Sequence, residues 1–210
     1  MAGPKRSTTY KIGITGNICS GKTLVRNTLA RFGINTMDAE EMAMNLLADN
    51  PLRLNIRLTD HFGGEVLDSR GRLSKRKLKH VLYADPEKKA LFEEKLDPLI
   101  RDETKKFLYS PMGSYIRAVE VPLLLETDTS HLYDEVWVVT STIDLQTKYL
   151  MAREHLGLED AQRIVMAQWQ QEKKAGMGDR VIDNSGDIHH TESQVRKAHD
   201  EIKNRTYKII

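Results

Sequence analysis

Five short apolar segments recur along the chain, separated by polar or amphipathic stretches. Their short length is typical of buried strands rather than helices. Between most of them, apolar residues recur at intervals of three and four, which predicts amphipathic helices. Strands that alternate with helices are typical of a parallel sheet with helices on its faces, so we expect an α/β fold. The segments are KIGIT (11–15), GINTM (33–37), YIRAVEV (115–121), EVWVV (135–139) and RVID (180–183).

The interval between the second and third segments is about 75 residues, which is too long for a simple crossover connection. It contains helical patterns around 39–49, 51–62, 74–83 and 86–109, which predict a helical insertion. A second helical stretch, from Gln146 to about Ala175, carries many charges and few aromatic residues. Its composition and its place after the fourth strand indicate a mobile lid.

The first segment runs directly into a glycine-containing loop with the pattern G-x-x-x-x-G-K-[ST]. Such a loop can point successive backbone N–H groups at phosphate oxygens, while its lysine neutralises the β and γ phosphates and its hydroxyl ligates Mg²⁺. The helix that follows adds the partial positive charge of its N-terminus. The pattern therefore predicts a nucleotide phosphate site. It consists of Gly16, Asn17, Ile18, Cys19, Ser20, Gly21, Lys22 and Thr23.

The alternative is a strand-to-helix turn that contains two glycines and a lysine by chance. The apolar strand before the loop and the amphipathic helix after it favour phosphate binding over that alternative. A GTPase would need a guanine-reading N-K-x-D segment after a late strand, but the last strand ends in VIDNSG (181–186). The sequence therefore favours a kinase over a GTP-dependent switch.

Composition narrows the class further. The chain has 210 residues, 40% of them hydrophobic, which is enough for one sizeable core. Its net charge of +2 gives no field that would attract nucleic acid or a membrane, so neither is expected as a partner. A single cysteine excludes an intramolecular disulfide and, with no secretory or membrane-spanning apolar run, predicts a cytoplasmic protein.

Several segments together resemble the dephospho-CoA kinase family, whose members transfer the γ-phosphoryl group of ATP to the ribose 3′-hydroxyl of dephospho-CoA in coenzyme A biosynthesis. The resemblance runs in order from about Lys11 to Val195, which makes it far more specific than the phosphate loop alone. The matching segments are GITGNICSGKT (13–23), FGINTMDAE (32–40), HFGGEVLDSRGRL (61–73), LDPLI (96–100), VPLLLE (121–126) and DRVIDNSG (179–186).

The resemblance implies a P-loop kinase core, a helical domain that binds the acceptor, and a helical lid over ATP. We therefore expect a disordered N-terminus at 1–9 and a single domain at 10–210. Within it, the core would comprise 10–38, 111–145 and 176–210, the acceptor-binding insertion about 39–110, and the lid about 146–175. ATP and Mg²⁺ are the expected cofactors, and a monomer or weak homo-oligomer is the expected assembly.

The resemblance also assigns roles to individual residues. Glu40 would act as the base beside the acceptor hydroxyl, and Arg153 would close over ATP from the lid. Asp38 would face the metal, although an aspartate after a strand is also a common helix N-cap, and one residue can serve in both ways. Asn184 would lie near adenine, although Asn-Ser-Gly is also a favoured turn composition.

The chain departs from the usual family pattern mainly on the acceptor side. Where the family has Asp-x-Asp, this chain has Asp38-Ala39-Glu40, which moves the second carboxylate outward by one methylene. Met44 replaces an arginine, and Asp97 replaces a histidine before proline. In the lid, Tyr149 replaces the first of two arginines, and the neighbouring Lys148 lacks the planar fork that grips phosphate bidentately.

Other polar and aromatic candidates have simpler explanations. The basic residues between Arg70 and Lys79 indicate a solvated helix face or, in an acceptor domain, a diphosphate contact. His189 and His190 lack ligand spacing and are expected at the surface. Trp137 lies in an apolar strand and is expected in the core, whereas Trp169 either packs within the lid or covers it.

Three functions remain open at this stage. The first is an ATP-dependent dephospho-CoA kinase, and the second is a related kinase with a different small hydroxyl acceptor. The third is a nucleotide-binding regulatory module with little catalysis. Only the third predicts ATP binding without ADP release that depends on an acceptor.

Overall fold

The computed structural model describes residues 9–50, 58–111 and 115–207. They divide into two compact units, one formed by the described residues of 1–37 and 108–210 and the other by those of 38–107. The expected disordered N-terminus at 1–9 lies outside the described residues except for Thr9. The same holds for the first seven residues of the helical pattern predicted at 51–62.

The first unit is built on a sheet to which the described residues contribute five strands, in the order β2-β3-β1-β4-β5. The β1–β3, β1–β4 and β4–β5 ladders are all parallel. This confirms the predicted α/β fold, and each strand falls on one of the five apolar segments. The strands are β1 (Tyr10–Thr15), β2 (Asn35–Asp38), β3 (Ile116–Glu120), β4 (Glu135–Thr140) and β5 (Arg180–Asp183).

Helices cover this sheet because its strands are apolar on both faces, so both must be shielded from water. β3 and β4 are buried along their whole lengths. Val25 and Leu29 of the first helix and Val195 of the last pack with Trp137 in one core, which confirms the core position of that tryptophan. The helices of this unit are α1 (Lys22–Arg31), α6 (Ile143–Glu154), α7 (Leu158–Met166), α8 (Gln171–Ala175) and α9 (Ile188–Tyr207).

The predicted lid range contains three short helices rather than one continuous helix. α6 begins after Thr142, whose hydroxyl accepts a hydrogen bond from the N–H of Leu145, and ends at His155 in the left-handed conformation. α6 and α7 pack on each other through a small apolar cluster, and Ile18 and Cys19 of the glycine loop pack against it. The loop and these helices therefore share apolar packing.

The second unit is helical and has its own core, to which Met44 and Leu47 contribute. Phe62 and Phe92 meet edge to face at its centre, with ring centroids 5.7 Å apart. A short 3₁₀ helix at Gly64–Val66 was not anticipated. The helices are α2 (Ala39–Asp49), α3 (Leu58–Phe62), α4 (Lys75–Ala84) and α5 (Pro86–Leu108), the last of which ends one residue beyond the unit.

Across the part of the chain that the structure describes, no helix combines the length and the apolar character needed to cross a membrane.

Candidate active site

The glycine loop connects the carboxyl end of β1 to the first turn of α1. Gly16 and Gly21 have φ angles of +143° and +103°, which favour glycine. A Cβ on Gly16 would overlap the carbonyl oxygen of Val139, and one on Gly21 would overlap the side-chain amide of Asn184. Cys19 also has a positive φ, of +55°, which is uncommon for a residue with a side chain. The two glycines are therefore required by the backbone geometry.

Lys22 is largely buried and its ammonium lies inside the curve of the loop. Its Nζ donates to the carbonyl oxygens of Gly16 and Asn17, at 3.0 and 2.8 Å. Among the described residues, the buried Oδ1 of Asn17 and Oγ of Ser20 have no hydrogen-bond partner. Buried polar atoms are normally satisfied, so this loop fits a polar ligand that completes its hydrogen bonding. A nucleotide phosphate has the charge that the Lys22 ammonium would neutralise.

A carboxylate from the neighbouring strand meets the first turn of α1. Glu120, the last residue of β3, is only 5% exposed. Its Oε1 accepts from the Thr23 hydroxyl at 3.0 Å, and its Oε2 accepts from Arg26 Nε at 2.9 Å. The hydroxyl and the carboxylate form an oxygen-donor pair of the kind that Mg²⁺ prefers. These residues therefore fit a magnesium ion bound together with nucleotide phosphates.

Glu120 and Arg26 are the site residues that the sequence analysis missed. The sequence does contain a signal for Glu120. It is an acidic residue at the carboxyl end of an apolar strand, at the sheet edge where the glycine loop begins. No group of three or more His, Cys, Asp or Glu side chains that could hold a metal by itself lies within the described ranges.

Asn184 lies against the end of the glycine loop. Its side-chain Nδ2 donates to the carbonyl oxygen of Ser20 at 2.9 Å, and its Oδ1 accepts from the Thr191 hydroxyl at 2.8 Å. Its backbone N–H donates to Thr140 at 2.8 Å. The side-chain amide therefore braces the loop, and contact with adenine remains a prediction.

Asp38 and Glu40 belong to the second unit and open its first helix. Asp38 Oδ1 accepts from the backbone N–H of Glu41 at 2.9 Å, which confirms the N-cap interpretation. Glu40 lies in the first turn of α2 and is half-buried. Two carboxylates in a first turn are stabilised by the positive end of the helix. The catalytic role of Glu40 and the metal-facing role of Asp38 remain predictions.

The residues that depart from the family pattern have local explanations. Met44 is buried in the core of the second unit. Asp97 forms an ion pair with Arg101 one turn later in α5, at 2.9 Å. On α6, Tyr149 is 52% exposed, and Arg153 donates to the neighbouring Glu154 at 2.8 Å.

The basic stretch of the second unit is mostly exposed, as expected for a solvated face. Its first arginines surround Asp68, which accepts from the backbone N–H groups of Arg70 and Arg72. These backbone hydrogen bonds, first that of Arg72 and then that of Arg70, lower the pKa of the Asp68 carboxyl. His189 and His190 are exposed, which confirms their predicted surface position.

A phosphate loop between a buried parallel strand and a helix, with a lysine inside it and a carboxylate facing its threonine, defines a P-loop protein that binds a nucleotide. The dephospho-CoA kinase family model matches residues 10–190. The chain belongs to the dephospho-CoA kinase family and is a kinase that uses ATP.

Individual relatives agree with this assignment. A dephospho-CoA kinase of Staphylococcus aureus (strain Mu50) is 36% identical over 178 residues, covering 84% of this chain and 85% of the relative. The dephospho-CoA kinase of Staphylococcus haemolyticus is 33% identical, and the match covers 84% of this chain and 87% of the relative.

Solved structures support the fold. A Thermus thermophilus structure is 26% identical with a TM-score of 0.71, and covers 92% of this chain and 97% of its own. Dephospho-CoA kinase from Campylobacter jejuni is 22% identical with a TM-score of 0.60, and the match covers 93% of this chain and 98% of that structure's chain. Shikimate kinase from Acinetobacter baumannii, at 11% identity and a TM-score of 0.52, shares the fold alone and covers 95% and 96%.

Proposed function

We propose that this chain transfers the γ-phosphoryl group of ATP to the ribose 3′-hydroxyl of dephospho-CoA, giving coenzyme A and ADP. The observation that carries this proposal is the complete phosphate loop, with Lys22 inside it and Thr23 against Glu120, in a chain of this family. Family membership favours dephospho-CoA over another small hydroxyl acceptor and over a regulatory module.

On the ATP side, the loop N–H groups and the Lys22 ammonium bind the phosphates and neutralise charge that develops during transfer. Thr23 and Glu120 would hold Mg²⁺, which when bound withdraws charge from the β and γ phosphate oxygens. Arg26 orients Glu120 through its hydrogen bond to Oε2. Asn184 fixes the far end of the loop.

On the acceptor side, Glu40 accepts the proton of the 3′-hydroxyl as its oxygen bonds to the γ-phosphorus. The bond from that phosphorus to the β–γ bridging oxygen breaks, and ADP leaves with the bonding electrons. Asp38 would hold a water bound to Mg²⁺, and Arg153 would close over the phosphates from the lid. In phosphoryl transfer, positioning and charge neutralisation contribute more than the base, so a glutamate in place of an aspartate is compatible with activity.

We further propose that residues of about 39–110 bind the acceptor, that the range 146–175 acts as a lid, and that the protein works as a cytoplasmic monomer or weak homo-oligomer. The separate core of the second unit and the three short helices of the lid range support this division.

Purified protein with ATP and Mg²⁺ tests the proposed function directly. ADP release should require dephospho-CoA and should be at least tenfold slower with adenosine, other nucleosides or pantetheine derivatives, because these lack part of the acceptor. Equal stimulation by another hydroxyl compound would identify a different acceptor. Tight ATP binding without ADP release for any of these compounds would instead favour the regulatory module.

Replacing Glu120 with glutamine should raise the Mg²⁺ concentration needed for half-maximal activity by roughly tenfold or more. The amide keeps the size of the side chain and one oxygen but removes the charge that favours the cation. Binding of Mn²⁺ to the complex with an ATP analogue, followed by electron paramagnetic resonance, should weaken in parallel. Glu159→Gln is the control, because Glu159 is exposed and its replacement should leave the metal dependence unchanged. Glu126→Gln would be unsuitable, because Glu126 pairs with the buried Lys174. Unchanged metal dependence would remove Glu120 from the metal site.

A further inference from the structure

Two consecutive residues between α7 and α8 hold two consecutive residues of the glycine loop. The side-chain Oε1 of Gln168 accepts from the backbone N–H of Ile18 at 2.6 Å. The backbone oxygen of Trp169 accepts from the side-chain Nδ2 of Asn17 at 3.0 Å. About 150 residues of sequence separate the partners, so these contacts are a property of the fold and not of local chain geometry.

The segment that makes these contacts is itself fixed on both sides. Gln171 Oε1 accepts from the backbone N–H of Ser141 at 2.8 Å and from Gln146 Nε2 at 3.4 Å. Lys174, which is fully buried, places its Nζ 2.6 Å from Oε1 of Glu126. Both ends of the range 146–175 are therefore attached to the core, so the segment from which Gln168 reaches the loop is held in place.

The carboxamide is well suited to this contact. The N–H of Ile18 donates to a neutral oxygen, so the orientation of the Asn17–Ile18 peptide is set without placing a negative charge beside bound phosphates. A carboxylate could accept the same hydrogen bond but would repel ATP. An apolar side chain of the same length would leave the N–H without that acceptor.

Orientation of this peptide matters because the backbone turns sharply directly after it. Cys19 adopts a φ of +55°, and Ser20 and Gly21 then lead into α1. N–H groups that bind phosphate must converge on one point, and a rotated peptide would misdirect those that follow it.

We propose that Gln168 is a positioning residue that orients the Asn17–Ile18 peptide for ATP binding. Through this contact it also links the glycine loop to the segment between α7 and α8. This inference rests on the proposed function, since it assumes that the loop binds ATP. The proposal predicts that replacing Gln168 lowers the affinity for ATP and changes the apparent affinity for the acceptor little.

Gln168→Met and Gln168→Glu test the proposal, with Gln170→Met as a matched control because Gln170 is exposed two residues later. Affinity for a non-hydrolysable ATP analogue is measured by calorimetry without acceptor, and exchange of the Ile18 amide hydrogen is followed by NMR. Gln168→Met should weaken binding of the analogue by roughly tenfold, the loss expected for one partly buried hydrogen bond, and should accelerate Ile18 exchange. The KM for dephospho-CoA at saturating ATP should stay within about twofold.

Gln168→Glu separates positioning from mere packing. It should keep Ile18 exchange slow, because the acceptor oxygen remains, while weakening ATP through charge repulsion. If the Met variant does not fold, the ATP affinity and Ile18 exchange of the Glu variant test the proposal by themselves. Parent-like ATP affinity in either variant, or Ile18 exchange in the Glu variant much faster than in the parent and in the Gln170→Met control, would overturn the proposal. A parent protein that does not bind the analogue at all would instead contradict the proposed function.

Discussion

Replacing Lys22 with alanine should lower kcat/KM by on the order of 10³-fold or more while leaving the fold intact. The Lys22 ammonium lies within hydrogen-bonding distance of two loop carbonyl oxygens, at the place where the phosphates would bind. Its removal takes a positioned charge away from the transition state, which costs on the order of several kcal/mol. Steady-state ADP release with dephospho-CoA measures the loss.

Two controls separate this loss from a loss of structure. Lys22→Met keeps most of the buried stem, so it should unfold within a few degrees of the parent and still show the loss of turnover. Lys197→Ala removes an exposed lysine from α9 and should leave turnover unchanged. Near-normal ADP release by both Lys22 variants would mean that the loop is not the catalytic phosphate site.

Glu40→Gln should lower kcat by roughly 10²- to 10⁴-fold, the usual range for general-base catalysis, with nearly unchanged ATP affinity. Glu40 stands in the first turn of α2, two residues after the N-cap Asp38, and glutamine has nearly the same size and shape but cannot take the proton. Single-turnover kinetics with saturating ATP and dephospho-CoA measure the effect.

The neighbouring side chains make this test specific. Glu41→Gln changes an exposed carboxylate in the same helical turn and should leave kcat within about twofold. Glu40→Asp should be tolerated or even improve the reaction, because it restores the shorter side chain usual in the family. A Glu40→Gln variant as active as the parent would make Glu40 a bystander, and a loss of ATP affinity would place it on the metal.

The fold could be predicted largely from the sequence because its signals are local. Five apolar segments became five strands, and the loop between β1 and α1 carries its own pattern from Gly16 to Thr23. Local patterns also predicted the N-cap at Asp38 and the core position of Trp137. Each of these features depends on residues close in sequence or on the burial of one segment.

The missed parts of the site depend on contacts between distant segments. Glu120 meets Thr23 across 97 residues of sequence, and Gln168 meets Ile18 across 150. Nothing in either local sequence specifies its partner, because strand order and the path of the chain through 146–175 bring the partners together. Asn184 illustrates the same limit, since the turn that it opens was recognisable but its bond to the Ser20 carbonyl was not.

The position of the transferred phosphate tests the central claim most directly. The protein is incubated with Mg²⁺, dephospho-CoA and ATP labelled in the γ-phosphoryl group, and the product is analysed by ³¹P NMR and mass spectrometry. The account predicts one labelled phosphate per product molecule, attached to the ribose 3′-oxygen, with ADP formed in equal amount. A label on another hydroxyl, or ATP bound with no label transferred, would contradict it.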